Sequence, residues 1–366
     1  MTDTLAAVLT APQTRLVLEQ LVIDPPVAGE VLVHYGASGV CHSDLHVVDG
    51  EWSSSLPIVL GHEGAGVIEE VGEGVSHVAV GDHVVASWWY PCGACRQCAR
   101  GETWVCTGNR STANTLHDGS TRLRRGDEGV FQYLSLGTFA SRAVVPASAV
   151  VRVPATIPFD VACLIGCGVT TGVGAVVNTA AVEPGAAVAI VGCGGVGLSV
   201  IMGAVMAGAD PIVAIDLSDA KLDQARDVGA THCIRADRPV RRELVAIVPG
   251  GVDYAFEAIG LKQTQELLPR LTRAGGTCVL VGMTPEDTPI AVDGLLFVSQ
   301  GLSLLGSTYG SAVAAIEFPR LANLYLEGRL PIDRLITHRI ELGEVNDAFD
   351  AMRRRERGRS VIVYRD

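Results

Sequence analysis

AVAIVGCGGVGLSVIMGAVMAG, residues 187–208, is the stretch whose reading decides the fold. Five apolar residues, Ala187–Val191, lead into Gly192-Cys193-Gly194-Gly195-Val196-Gly197 and then into an apolar run of helical length. Strand, glycine turn and helix in that order give G-x-G-x-x-G its meaning. The glycines permit a tight turn, close backbone approach to a pyrophosphate and packing of the helix on the strand. A second apolar strand, Ile212–Asp216, ends on a carboxylate nineteen residues after Gly197. A carboxylate at that distance accepts hydrogen bonds from the adenosine ribose and repels a 2′-phosphate, which favours NAD over NADP. Pro184 to Asp210 carries no charge before its last position, so a membrane span is the literal hydropathy reading. Seven glycines interrupt that stretch, and a buried strand, turn and helix accounts for it better.

Working outward, Val252–Glu257 and Thr277–Val281 are further apolar strands, with helical patterns between several of them. Alternating β and α units imply a parallel, doubly wound sheet covered on both faces. Before about Val169 the texture differs. Short β-type runs such as Val31–Tyr35, Gly66–Glu70, His83–Ala86 and Ala143–Val145 are punctuated by Gly, Pro and Asp and suggest a mostly-β, barrel-like domain. After about Gly310 a helix, a turn and a β-type tail, Ser360–Tyr364, return to that texture. The expectation is an α/β chain whose first domain is split: residues 1–168 and 311–366 form one domain, and residues 169–310 form the inserted coenzyme domain.

A chain of 366 residues with 48% hydrophobic and 19% charged residues has material for two cores and does not read as disordered. Its net charge of -12 makes nucleic acid a poor partner. The opening MTDTLAAVLTAPQTRLVLEQ does not read as a secretory signal, so ten cysteines are expected as reduced thiols in the cytoplasm rather than as disulfides. Cys92, Cys95, Cys98 and Cys106 form C-x2-C-x2-C-x7-C. Four thiolates complete a tetrahedral Zn²⁺ and leave no open position, the pattern of a structural site. An iron–sulfur cluster uses four cysteines too, but nothing else here suggests electron transfer.

Cys41 stands in GVCHSD, His62 in GHEGAG, and Cys167 in GCGVTTG. Singly, a buried cysteine or histidine is more often core than ligand. Together, in order, and with LIGCGVTTG, VNTAAVEPG and VGCGGVGLSVIMG around them, they resemble the zinc-dependent alcohol dehydrogenases of the medium-chain dehydrogenase/reductase superfamily. The likeness runs from about Val31 to Tyr364 and is nearest the branch holding the animal liver enzymes and the glutathione-dependent formaldehyde dehydrogenases. It implies a GroES-like catalytic domain beside a Rossmann coenzyme domain. It also implies two zinc ions per chain and NAD.

By the same resemblance Cys41, His62 and Cys167 hold the catalytic zinc and leave one position open, a site for which alcohol dehydrogenase is a standard example. Glu63 approaches the metal during ligand exchange, and Asp44 orients His62. Ser43 and His46 match a relay that carries the alcohol proton to solvent. His42 and Arg359 match pyrophosphate contacts, Lys221 a ribose contact, and Thr171 and Val196 a nicotinamide contact. Trp52, Trp88, Tyr133 and Leu134 match the pocket wall, which suits a primary aliphatic or aromatic alcohol or its aldehyde. The formaldehyde dehydrogenases place an acidic residue where Trp52 stands, which argues against a thiol-adduct substrate, although Glu51 adjoins it and Arg110 matches their basic anchor. About thirty residues separate Cys106 from Phe139, resembling the dimeric branch more than the tetrameric one. A non-catalytic relative or a zinc-free reductase would be expected to lose a ligand or the glycine turn, and this chain keeps both.

Overall fold

The computed structural model describes residues 2–354, 356 and 358–365. The chain divides into two compact units, Met1–Cys167 with Val313–Asp366, and Gly168–Ala312.

In the unit Gly168–Ala312, the strand Val188–Val191 is buried at every position, as a central strand covered on both faces must be. On one side it pairs with Ile212–Asp216 and then His232–Arg235. On the other lie Val252–Glu257, Thr272–Leu280 and Ser303–Gly306, and all pairings are parallel. Strand order therefore reverses at Val188–Val191, and the crevice at its carboxyl end is the place where such doubly wound Rossmann sheets bind ligands. Thr272–Leu280 starts five residues before the apolar run read from sequence and ends one residue sooner. Its first residues pair with Val252 across a register shift and pass through Gly275 and Gly276, so no apolar pattern announces them. The uncharged stretch from Pro184 to Asp210 resolves into this strand, the glycine turn and the helix Gly195–Ala207, which Gly208 ends in a left-handed conformation. Among the described residues no single helix is long and apolar enough to cross a membrane.

The other unit is built on two β-assemblies. Thr2–Leu9, Val17–Ile23, Leu123–Arg125, Glu128–Gln132 and Ile58–Val59 close a barrel. A seven-stranded sheet runs Val150–Arg152, His83–Ala86, Glu63–Val71, Glu30–Gly39, Arg359–Val363, Ile336–Ile340, with Arg142–Pro146 also paired to Glu30–Gly39. Leu9, Leu21, Ile23, Ile58, Leu60 and Phe139 are buried in the core around the barrel. The tail strand pairs antiparallel with Glu30–Gly39, Val361 opposite Gly39. The last part of the sequence is thereby stitched to the first.

Candidate active site

Strand register assembles the first metal centre. Glu30–Gly39 and Glu63–Val71 run antiparallel with Gly39 opposite Glu63. Cys41 lies two residues beyond one partner and His62 one residue before the other, so both leave the sheet at the same end. A Cβ on Gly39 would overlap the Glu63 carboxylate, and glycine is what lets that side chain cross. Cys41 is the N-cap of the helix His42–Val48, and Asp44 at the third helical position closes the box by accepting the Cys41 N–H at 3.1 Å. Its other oxygen accepts from the Gly61 N–H at 3.0 Å and from His62 Nδ1 at 3.1 Å. One buried carboxylate thus ties the Cys41 turn to the His62 turn and fixes the imidazole.

Cys167 follows the turn Cys163–Gly166 and completes the group. The ligand atoms of Cys41, His62, Glu63 and Cys167 all lie within 4.8 Å of one another, and all four residues are buried. His62 Nε2 is buried with no hydrogen-bond partner. A buried ring nitrogen without a partner is costly unless something else satisfies it. Two thiols beside it, with the other nitrogen held by Asp44, form the donor set of a soft-ligand, open Zn²⁺ site.

Charge is balanced inside this pocket. Hydrogen bonding from Cys167 holds the Cys41 thiol well below its ordinary value in spite of burial, with the His62 charge adding to the effect. Burial lifts Glu63 to about 6, against the opposing pull of the Arg359 guanidinium. Arg359 is buried, forms an ion pair with Glu63 Oε2, and leaves its Nε without a partner. The resemblance assigns Arg359 to pyrophosphate; the fold engages its guanidinium with the carboxylate beside the ligand set.

The second centre is local in sequence. The sulfurs of Cys92, Cys95, Cys98 and Cys106 also fall within 4.8 Å of one another. Cys95 caps the turn Arg96–Ala99 and accepts the Cys98 N–H at 3.4 Å, while Cys106 Sγ accepts the Cys92 N–H at 3.3 Å. The Cys98 N–H leads the effects that lower Cys95 to about 5, so the backbone favours thiolate there. A Cβ on Gly108 would stand 2.5 Å from Cys92 Sγ, so a larger residue would crowd the cluster.

In the other unit, Gly192 has φ +97° and a Cβ on Gly197 would overlap the Gly192 carbonyl, so the turn demands glycine at both. A Cβ on Gly194 would meet nothing within 4 Å, so packing against the rest of the chain does not demand glycine there. Asp216 accepts the Cys193 N–H at 2.8 Å through one oxygen and the Ser218 N–H at 3.0 Å through the other. Lys221 follows in the helix Asp219–Asp227, and Val196 and Thr171 are half-buried on the helices Gly195–Ala207 and Gly168–Gly174.

Residues 27–155 match the family model of the alcohol dehydrogenase GroES-like domain, and residues 195–327 that of the zinc-binding dehydrogenases. The S-(hydroxymethyl)glutathione dehydrogenase of Paracoccus denitrificans is 37% identical over 374 aligned positions, covering 99% of this chain and 100% of that one. The chain belongs to the zinc-binding alcohol dehydrogenases. An S-(hydroxymethyl)glutathione dehydrogenase of Escherichia coli is also 37% identical, over 98% of this chain and 99% of that one. Among solved structures, a zinc-binding-domain alcohol dehydrogenase protein from Burkholderia ambifaria superposes with TM-score 0.95 at 34% identity. The benzyl alcohol dehydrogenase of Acinetobacter calcoaceticus does so with TM-score 0.95 at 32%, and both pairs are covered completely. As a member of this family the chain uses two zinc ions, one catalytic and one structural, and NAD, and two groups of donor atoms could hold the metal.

Around the open centre of this alcohol dehydrogenase, Ser43 Oγ lies 3.8 Å from Cys41 Sγ. The Tyr133 hydroxyl donates to the Ser43 carbonyl at 3.3 Å, and its ring meets His62 edge-on at 5.7 Å. Leu134 is buried in a left-handed conformation held by its N–H to Asn114 Oδ1 at 2.9 Å. Trp88 packs against the core and meets Trp89 edge-on at 5.5 Å. His42 and Arg110 are exposed on the same unit. Trp52 stacks on His46 with ring centroids 4.5 Å apart.

Two partners escaped the sequence reading. Glu51 Oε2 lies 2.5 Å from His46 Nδ1, and Glu63 holds Arg359 from a position 296 residues away. Only the adjacency of Glu51 and Trp52 hinted at the first; nothing in the sequence hinted at the second.

Proposed function

We propose that this chain interconverts a primary alcohol and its aldehyde, with Cys41, His62 and Cys167 holding the catalytic zinc and Cys92, Cys95, Cys98 and Cys106 the structural one. The partnerless His62 Nε2 beside two thiols carries that assignment. When bound, the catalytic zinc supplies Lewis acidity at the substrate oxygen and NAD accepts the hydride. The chain's own residues do the rest. Ser43 takes the alcohol proton and His46, at the outer end of the same helix, passes it towards water. Asp44 keeps His62 neutral-tautomer nitrogen Nε2 free by binding Nδ1. Trp88, Tyr133 and Leu134 present apolar surface that excludes water, while Trp52 borders the relay. Gly194, Asp216 and Lys221 serve pyrophosphate and ribose, with His42, Thr171 and Val196 as further coenzyme contacts.

S-(hydroxymethyl)glutathione is the second reading, supported by the full-length identity to dehydrogenases named for that substrate and by the exposed Arg110. Against it, the family resemblance places an acidic residue of the formaldehyde dehydrogenases where Trp52 stands, and the neighbouring Glu51 carboxylate is already engaged by His46. NADH formation across aliphatic and aromatic alcohols, with formaldehyde offered alone and with glutathione or mycothiol, separates the two. We expect the highest kcat/KM on a thiol-free primary alcohol; strict dependence on the thiol reverses the ranking.

The chain acts as a homodimer in the cytoplasm on this reading. The edge strand Ser303–Gly306 carries half-exposed Leu304, and the preceding helix Gly294–Gln300 leaves Leu295 and Val298 at 80% and 84% exposure. Apolar side chains so exposed beside an open sheet edge need cover. Light scattering should give twice the chain mass for the native protein and the single mass for Leu295→Lys/Val298→Lys; a native monomer refutes the dimer. Ten free thiols suit a reducing compartment.

A further inference from the structure

The segment after the relay histidine folds back on it. The helix ends at Val48, and the His46 carbonyl then accepts the N–H groups of Glu51 at 2.8 Å and Trp52 at 3.2 Å. That turn brings both side chains onto the same imidazole: the Glu51 carboxylate onto Nδ1 and the Trp52 indole flat against the ring, 29° from parallel. His42 is the other ring in contact, tilted at 5.7 Å. His46 keeps 20% of its side chain exposed and Glu51 keeps 47%, so the pair opens to solvent.

We infer that Glu51 is a positioning residue that fixes His46 with its proton on Nδ1 and so reserves Nε2 for the relay. An ionised carboxylate accepts and never donates, so at 2.5 Å Nδ1 must carry hydrogen whether the ring is neutral or charged. In the neutral ring that leaves Nε2 as the sole acceptor. A relay needs this, because a ring with its proton on Nε2 cannot receive another there. When Nε2 takes the proton that leaves the alcohol, the ring holds two. The charged ring, still paired through its Nδ1–H with the Glu51 carboxylate, then releases the Nε2 proton to water, which restores the Nδ1–H form and delivers one proton to solvent for each hydride removed. The Trp52 indole stacked on the ring opposes the side-chain rotation that would carry Nδ1 away from Glu51. The pair works as Asp44 does on His62: in each case a carboxylate selects the nitrogen that faces the chemistry.

This rests on His46 being the relay residue, and the test separates the two ideas. ¹⁵N-histidine spectra, assigned with His46→Gln, read the tautomer directly in the zinc-loaded protein without substrate. We expect the Nδ1–H form in the native chain at a pH where the ring is neutral, a mixture of tautomers in Glu51→Ala, and recovery in Glu51→Gln, whose amide oxygen still accepts. Alcohol turnover should fall about tenfold in Glu51→Ala, a part of the roughly 10²–10⁴-fold that a positioned proton-transfer group contributes. Glu51→Gln should restore most of it, and zinc content should stay at two. An unchanged tautomer, or unchanged turnover, in Glu51→Ala overturns the Glu51 role. Full turnover in His46→Gln overturns the relay itself. A slowed His46→Gln with a native-like Glu51→Ala spectrum rejects Glu51 alone.

Discussion

Cys41→Ser should yield a folded chain that carries one zinc instead of two, binds NADH with nearly native affinity, and turns over at least about a thousandfold more slowly. The fold survives because position 41 is a helix N-cap, where serine is among the preferred residues and can accept from the Asp44 N–H as well as the thiol does. The metal does not survive, because a neutral hydroxyl replaces a thiolate that its surroundings already favour. Zinc supplies several kcal/mol of transition-state charge stabilisation, and loss of about 4 kcal/mol alone corresponds to roughly a thousandfold. Serine is also the gentlest way to ask the question. His62→Ala would strand the Asp44 carboxylate, which is 0% exposed, without the imidazole it binds, and the fold could fail for that reason. Atomic absorption on unchelated protein and NADH fluorescence titration read the two quantities. Two zinc ions retained in the variant, or turnover near native, would remove Cys41 from the ligand set.

What was legible in the sequence is what local pattern encodes. His83–Ala86, Ile212–Asp216 and Val252–Glu257 are strands over the very residues read as apolar runs, because Gly, Pro or Asp bounds each run and burial on both faces removes any alternation. Cys92 to Cys106 could be grouped without a structure because the four thiols share one loop. Cys41, His62 and Cys167 could be grouped only through family likeness, since strand register and not spacing brings their donor atoms within 4.8 Å. Contacts made by chain reversal stayed hidden. Glu51 reaches His46 because the chain turns after the helix ends, against the i,i+4 geometry a continuing helix would have imposed. Arg359 meets Glu63 because the tail strand joins the sheet that Glu63 begins, a pairing that no short-range pattern carries. The start of Thr272–Leu280 was hidden for a third reason: two glycines and an arginine interrupt its apolar signal, although backbone pairing holds.

The second large effect is expected at Asp216. Its two oxygens each accept one backbone N–H, from Cys193 inside the glycine turn and from Ser218 at the next helix. A carboxylate has about four acceptor positions, so two remain for the adenosine ribose hydroxyls. The same charge opposes a 2′-phosphate: two unit charges 4 Å apart at an effective dielectric of 20 interact by about 4 kcal/mol. Arg235 sits opposite Asp216 in the neighbouring strand, but it is tied to Asp219 and Asp237, so its guanidinium is not free to hold a phosphate if the carboxylate is removed. Asp216→Gly should therefore act by weakening NAD and by lifting the repulsion of NADP, without a new phosphate contact from Arg235. The ratio of kcat/KM for NAD to that for NADP should fall about a hundredfold, equivalent to roughly 2.7 kcal/mol. Because the glycine variant also frees the Cys193 N–H, Asp216→Asn separates the two roles. Its amide oxygen can keep one backbone bond while the charge is gone, so it should lose discrimination with a smaller fall in melting temperature. If either variant discriminates between the two coenzymes as the native chain does, the preference for NAD is set elsewhere than at this carboxylate.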